Sequence, residues 1–122
     1  MKRKALIVDD QPDIRKLIMM TMECEDFDLF EADNGEDALL TAQKLRPRLV
    51  LLDVMMPGAL DGYQVCQRIK QDPNLAHIKI IMLTARGQAS DIAMGEAAGA
   101  DAYLVKPFSP LELIDRVESM TG

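Results

Sequence analysis

The stretch "LVLLDVMMPGALDG" (Leu49–Gly62) decides the fold. An unbroken apolar run, Leu49–Leu52, ends on a carboxylate at Asp53, and the chain then breaks at Pro57 and Gly58 before Gly62. The run is too short for a helix and too uniform for a strand with one wet face. It reads as a parallel strand covered on both sides. An acid at the end of such a strand is either a turn former or a group held for chemistry, and the rest of the chain has to choose.

The same kind of run recurs as "ALIV" (5–8), "FDLFEA" (27–32), "RLVLL" (48–52), "KIIML" (79–83) and "AYLV" (102–105). "FDLFEA" alternates, which predicts an edge strand. Between the runs lie helical patterns. Pro12 and Asp13 suit an opening turn, followed by an apolar stripe of Ile14, Leu17, Ile18 and Met22. Asn34 and Gly35 start a second helix with Ala38, Ala42 and Leu45 on its buried face and Pro47 as its stop. A third runs from about Asp61 with Gly62, Val65, Cys66 and Ile69 on one side. A fourth, roughly 88–97, is rich in Gly and Ala and intrinsically weak. A fifth opens at "SPLE", where Ser109 caps, Pro110 takes the first helical position and Glu112 completes a capping box. Strands and helices in strict alternation predict a doubly wound α/β domain over residues 1–122, with ligands beyond the carboxyl ends of the strands.

At 122 residues the chain can bury a core without disulfides. Its 14 basic and 20 acidic residues give a net charge of -6, which disfavours direct contact with nucleic acid or an anionic membrane. Cys24 and Cys66 lack metal or redox spacing and read as buried free thiols in a reducing compartment. With no membrane-length apolar run and no signal-peptide core, the expected location is cytoplasmic. The nine methionines, Met19, Met20 and Met22 among them, are expected to fill core gaps, and His77 to sit in a surface loop.

Five residues fall at strand ends: Asp9 and Asp10 after the first, Asp53 at the third, Thr84 at the fourth and Lys106 after the fifth. Each alone has an ordinary structural explanation; together they share one edge of one sheet. Three carboxylates brought together repel one another unless cations offset them. One lysine and one divalent ion bring the formal sum near zero, and an all-oxygen set without His or Cys points to Mg²⁺, or Mn²⁺, rather than zinc. A carboxylate, an ammonium, a hydroxyl and such a metal suit phosphoryl transfer, with the carboxylate attacking phosphorus to give an acyl phosphate.

"LIVDD", "LLDVMMPGALDG", "IIMLTA" and "YLVKPF", in this order, resemble the receiver domains of two-component response regulators along the whole chain. The resemblance implies a flavodoxin-like fold with five parallel strands in the order 2-1-3-4-5 and five helices. It implies a signalling domain rather than an enzyme, one that assists its own phosphorylation and dephosphorylation. Asp53 would be the phosphoacceptor. Asp10, Asp53 and the Met55 backbone carbonyl would ligate Mg²⁺, with Asp9 acting through water. Lys106 would pair with the phosphoryl oxygens and Thr84 would donate its hydroxyl to one of them. Thr84 and Tyr103 would form the switch that remodels the surface of helix 4, strand 5 and helix 5, and the Lys106–Pro107 bond would be cis. The implied partners are a sensor histidine kinase or histidine phosphotransfer protein, docking through Gln11, Ile14, Leu17 and Phe108, and a downstream effector or fused output domain.

Two features depart from the commonest pattern. The loop between Asp53 and Gly62 carries an extra residue near Gly58 and Ala59, and Met55 and Arg86 stand where other members place groups that orient water, which implies slow loss of phosphate. Three rivals are weaker. A flavodoxin-like cofactor binder needs a phosphate loop where this chain has "DDQPDI". A haloacid-dehalogenase-type phosphatase wants an acid at Met55. A phosphate-independent receiver-like scaffold has no use for the intact acidic set. The sequence leaves open whether the chain is a stand-alone receiver or the amino-terminal part of a longer regulator.

Overall fold

A computed structural model describes residues 3–23, 25–85 and 89–121. Strands β1 (Arg3–Val8), β2 (Phe27–Ala32), β3 (Leu49–Asp53), β4 (Lys79–Thr84) and β5 (Ala102–Val105) alternate with helices α1 (Pro12–Met22), α2 (Gly35–Leu45), α3 (Gly62–Gln71), α4 (Ala89–Ala98) and α5 (Pro110–Thr121). The sheet is parallel with order β2-β1-β3-β4-β5, so "FDLFEA" is an edge strand. Its burial does not alternate cleanly, because Leu29 and Phe30 are both half-buried.

The continuous apolar runs follow from two-sided burial. Leu6, Val8, Val50, Leu52, Ile80 and Met82 pack on one face with Ala38 and Ala42 of α2, Val65, Cys66 and Ile69 of α3, and Ala98 of α4. Ala5, Ile7, Leu49, Leu51, Ile81 and Leu83 pack on the other with Ile18 and Met22 of α1 and Leu113 and Val117 of α5. Each buried Leu or Ile contributes about 1.5–3 kcal/mol relative to an exposed one, which anchors the central strands that carry the site.

The expected stripe of α1 divides. Ile18 and Met22 are buried and Ile14 is half-buried, but Leu17 is 42 % exposed, because its 100° step from Ile18 takes it off the face covered by the sheet. The methionine expectation also needs correction. Met22 and Met82 are buried, whereas Met20, Met55 and Met94 are exposed; Met20 lies two residues from both Ile18 and Met22, on the opposite side of α1.

Local chemistry sets the helix ends. Asn34 accepts the Asp37 N–H at 2.8 Å, and Asp61 forms a reciprocal capping box with Gln64. Ser109 Oγ accepts the Glu112 N–H at 3.2 Å. Helix α4 ends on Gly99 at φ +98°, where Gly99 N–H donates to Glu96 O and Ala100 N–H to Gly95 O, both at 3.0 Å. Cys66 is buried and free, and burial pushes its thiol up to about 11. Cys24, Arg86 and the expected start of the fourth helix at Gln88 lie outside the described residues. Among the described residues no helix is long and apolar enough to cross a membrane.

Candidate functional site

Strand order reverses between β1 and β3: the chain passes from β1 to β2 on one side and from β3 to β4 on the other, and crevices form outside the carboxyl ends at such points. Asp9 and Asp10 follow β1, and Asp53 closes β3. One oxygen from each of the three carboxylates lies within 4.8 Å of the others, with Asp9 and Asp53 buried and Asp10 exposed. Lys106 crosses to them from the end of β5, its Nζ 2.7 Å from Asp9 Oδ2 and 3.6 Å from Asp53 Oδ2. Thr84 is buried at the end of β4, one residue beyond the Leu83 that pairs with Asp53. Lys106 N–H donates to the Thr84 carbonyl at 2.7 Å, and the Lys106–Pro107 peptide is cis.

Backbone donors fix the acids. Gln11 N–H donates to Asp9 Oδ1 at 2.9 Å and Met55 N–H to Asp53 Oδ1 at 3.2 Å. The Asp53 carboxyl is nonetheless pushed up to about 7, first by burial and then by the charge of Asp9, against which Lys106 and the Met55 N–H pull only in part. The pocket is short of positive charge, and oxygen donors in this number and closeness suit a hard divalent cation such as Mg²⁺.

The structure separates the remaining candidates into two places. Gln11, Ile14, Leu17 and Phe108 line one apolar cavity of about 350 Å³ that also touches Lys106 and Pro107, beside the acidic pocket. Tyr103 lies elsewhere, on β5 with its ring against Gly95 of α4; a Cβ at Gly95 would stand 3.1 Å from the phenolic oxygen. That hydroxyl is buried with no hydrogen-bond partner among the described residues, and burial, with Glu96 next, pushes it up to about 12. The Met55 side chain is 69 % exposed and turned to solvent.

Sequence reasoning missed three supports. Arg15 Nη1 donates to the Asp9 carbonyl at 2.7 Å while its Nε pairs with Glu31 at 3.1 Å, so α1 and β2 brace the acidic turn. Glu36 of α2 accepts the Ala59 N–H at 3.0 Å, tying down the loop that follows Asp53. Gly62, whose N–H donates to Val54 O at 3.0 Å, leaves no room for a Cβ beside the Asp53 carbonyl. The first two depend on long side chains reaching across elements, which periodicity does not register; the glycine was visible, but its contact was not.

The fold and the acidic pocket define the class, a receiver, and comparison with known proteins agrees. The model of the response regulator receiver domain family matches residues 5–118, and the chain belongs to that family, whose members act in two-component systems. It is 46 % identical over 119 residues to "Probable transcriptional regulator ycf27" of Pyropia yezoensis, covering 98 % of this chain and 47 % of that protein. The chain spans about half the length of the curated relatives it matches. The chemotaxis response regulator CheY4 of Vibrio cholerae superposes with a TM-score of 0.92 at 30 % identity, covering 98 % of this chain and 99 % of that one. The receiver domain of sensor histidine kinase PA1611 from Pseudomonas aeruginosa PAO1, solved with a magnesium ion coordinated in the active-site cleft, superposes with a TM-score of 0.89 at 28 % identity over 98 % of each chain.

Proposed function

We propose that Asp53 accepts a phosphoryl group from a phosphohistidine donor, a sensor histidine kinase or histidine phosphotransfer protein. The observation that carries this reading is the pairing of Lys106 with both Asp9 and Asp53 inside a three-carboxylate pocket at the strand-order reversal. Asp10, Asp53 and the Met55 carbonyl would hold Mg²⁺, with Asp9 acting through water, and the magnesium in the PA1611 receiver supports that assignment. The ion supplies charge neutralisation for the transferring oxygens.

This chain's own residues do the rest. The Met55 N–H orients one Asp53 oxygen. A deprotonated Asp53 oxygen attacks phosphorus, the bond from phosphorus to the donor nitrogen breaks, and the acyl phosphate forms. Lys106, now shared between Asp9 and Asp53, pairs with the added phosphoryl oxygens, and the Thr84 hydroxyl donates to one of them. The pull on Thr84 and the turn of Tyr103 then shift α4, β5 and α5 between arrangements already close in energy. The cavity at Gln11, Ile14, Leu17 and Phe108 receives the donor. The output passes to an effector protein or to a fused domain, in keeping with the greater length of the relatives. A phosphate-independent scaffold is not favoured, since nothing in that role calls for three clustered carboxylates with a lysine reaching two of them.

Acetyl phosphate with Mg²⁺ should add the mass of one phosphoryl group to the protein and none to Asp53→Asn. An unmodified wild type, or a modified Asp53→Asn, overturns the assignment.

A further inference from the structure

A second concentration of charge stands at the amino-terminal end of the sheet, opposite the strand ends that carry Asp53. Arg48 N–H donates to Lys4 O at 2.9 Å and Lys79 N–H donates to Arg48 O at 3.0 Å, which sets three cationic residues in a row at the starts of β1, β3 and β4. With Leu45, Arg46 and His77 they line a cavity of about 440 Å³, edged by Arg3. Arg3 is already engaged: Nη1 donates to the Thr121 carbonyl at 2.9 Å and the guanidinium lies 4.5 Å over the Phe27 ring. Lys4, Arg46, Arg48 and Lys79 are exposed, and among the described residues no carboxylate lies within ion-pair distance of any of them.

This segregation runs against the charge of the chain, which has 20 acidic and only 14 basic residues. Like charges in one concavity repel, and the compensation close by is limited to Asp28, the cross-strand neighbour of Lys4, and about half a negative charge at the carboxyl end of α2. Arg46 sharpens the point. It closes α2 at φ +47°, a left-handed conformation that glycine adopts without steric cost, yet a long cation occupies the position at the wall of the cavity.

We propose that this cavity binds a compact polyanion carrying two or more phosphate groups, a role separate from phosphorylation at Asp53. The concavity suits a small ligand, and the acidic balance of the rest of the surface repels a duplex extending past it. Among the described residues Leu45 is the only apolar one in the lining and no Phe, Tyr or Trp ring is present there, His77 being the single ring, so charge rather than base identity dominates what is read.

Sodium tripolyphosphate is the probe, titrated into the full chain in Mg²⁺-free, low-salt buffer and followed by calorimetry and by amide resonances. Saturable binding is expected, with shifts clustered at Lys4, Arg46, Arg48 and Lys79 and affinity that falls steeply with added salt. Arg46→Gly removes a cation while relieving the backbone, so it should weaken binding by about tenfold or less while melting at or above the wild-type temperature. Arg48→Gln with Lys79→Gln should weaken it further. Absent binding, shifts confined to the Asp53 end, or unchanged affinity in the charge-removed variants overturns the proposal. Random-sequence duplex DNA or a hexaglutamate peptide binding there more tightly than tripolyphosphate also overturns it, in favour of nucleic acid or an acidic protein segment.

Discussion

Lys106 holds Asp9 at 2.7 Å, closer than it holds Asp53 at 3.6 Å, so the ammonium of the pocket is committed first to the acid with no exposed surface. Lys106→Ala leaves buried Asp9 beside two further carboxylates without a cation. It should destabilise the Mg²⁺-free protein by about 3 kcal/mol, and millimolar Mg²⁺ should restore much of the loss. Urea melts in EDTA and in Mg²⁺ measure both; an identical midpoint shift under the two conditions contradicts this account.

The pH dependence of Asp53 has a definite sign. Its folded value of about 7 stands above the ordinary 3.8, so between these limits the folded state binds more protons than the unfolded one. Its contribution to stability is therefore present at low pH and lost as pH rises through about 7. In Mg²⁺-free buffer Asp53→Asn should stabilise the protein more at pH ~8 than at pH ~4. Thermal melts across that range decide, and an equal effect at both ends is the contrary result.

Gly62→Ala forces a methyl against the Asp53 carbonyl and Val54 Cα. We expect a loss of about 1–3 kcal/mol from overpacking, with slower acetyl phosphate labelling than in an equally destabilised core variant such as Ile80→Val. Equal labelling rates would separate Gly62 from the placement of Asp53.

Tyr103→Phe removes a buried hydroxyl without a hydrogen-bond partner among the described residues. Stability should stay the same or rise by up to about 1 kcal/mol. Gly95→Ala should push the ring out, and in a Tyr63→Phe background the remaining buried phenol should then titrate below its present value of about 12. An unshifted titration means the ring does not depend on Gly95.

Met55→Asn places an amide two residues from the proposed phosphorylation site at Asp53 in exchange for a solvent-facing thioether. The phosphorylated variant should lose phosphate faster than wild type, measured as the decay of the phosphoprotein mass. An unchanged lifetime overturns the expectation that Met55 slows the loss of phosphate.

Strand positions and sheet class were legible because two-sided burial leaves an unbroken apolar run, as in Leu49–Leu52. The acids at the strand ends were legible because topology alone brings Asp9, Asp10 and Asp53 to one edge. What escaped depends on side-chain reach and phase. Leu17 sits one helical step of about 100° from Ile18, within the breadth of an ordinary apolar stripe, so the pattern alone does not tell a covered flank from an open one. The ion pair of Lys70 with Asp101 at 2.8 Å joins α3 to the turn before β5, and no periodicity announces it. Glu36 finds Ala59 across a separation of 23 residues.

That last contact changes the mechanical character of the loop after Asp53. One anchor is the Met55 N–H on Asp53 and the other is the Ala59 N–H on Glu36. Between them only Met56, Pro57 and Gly58 span the gap, with Pro57 restricted in φ and Gly58 at φ +101°. The segment is a short strap with little slack, so closing it costs little entropy, and it ties α2 to Asp53 through two hydrogen bonds.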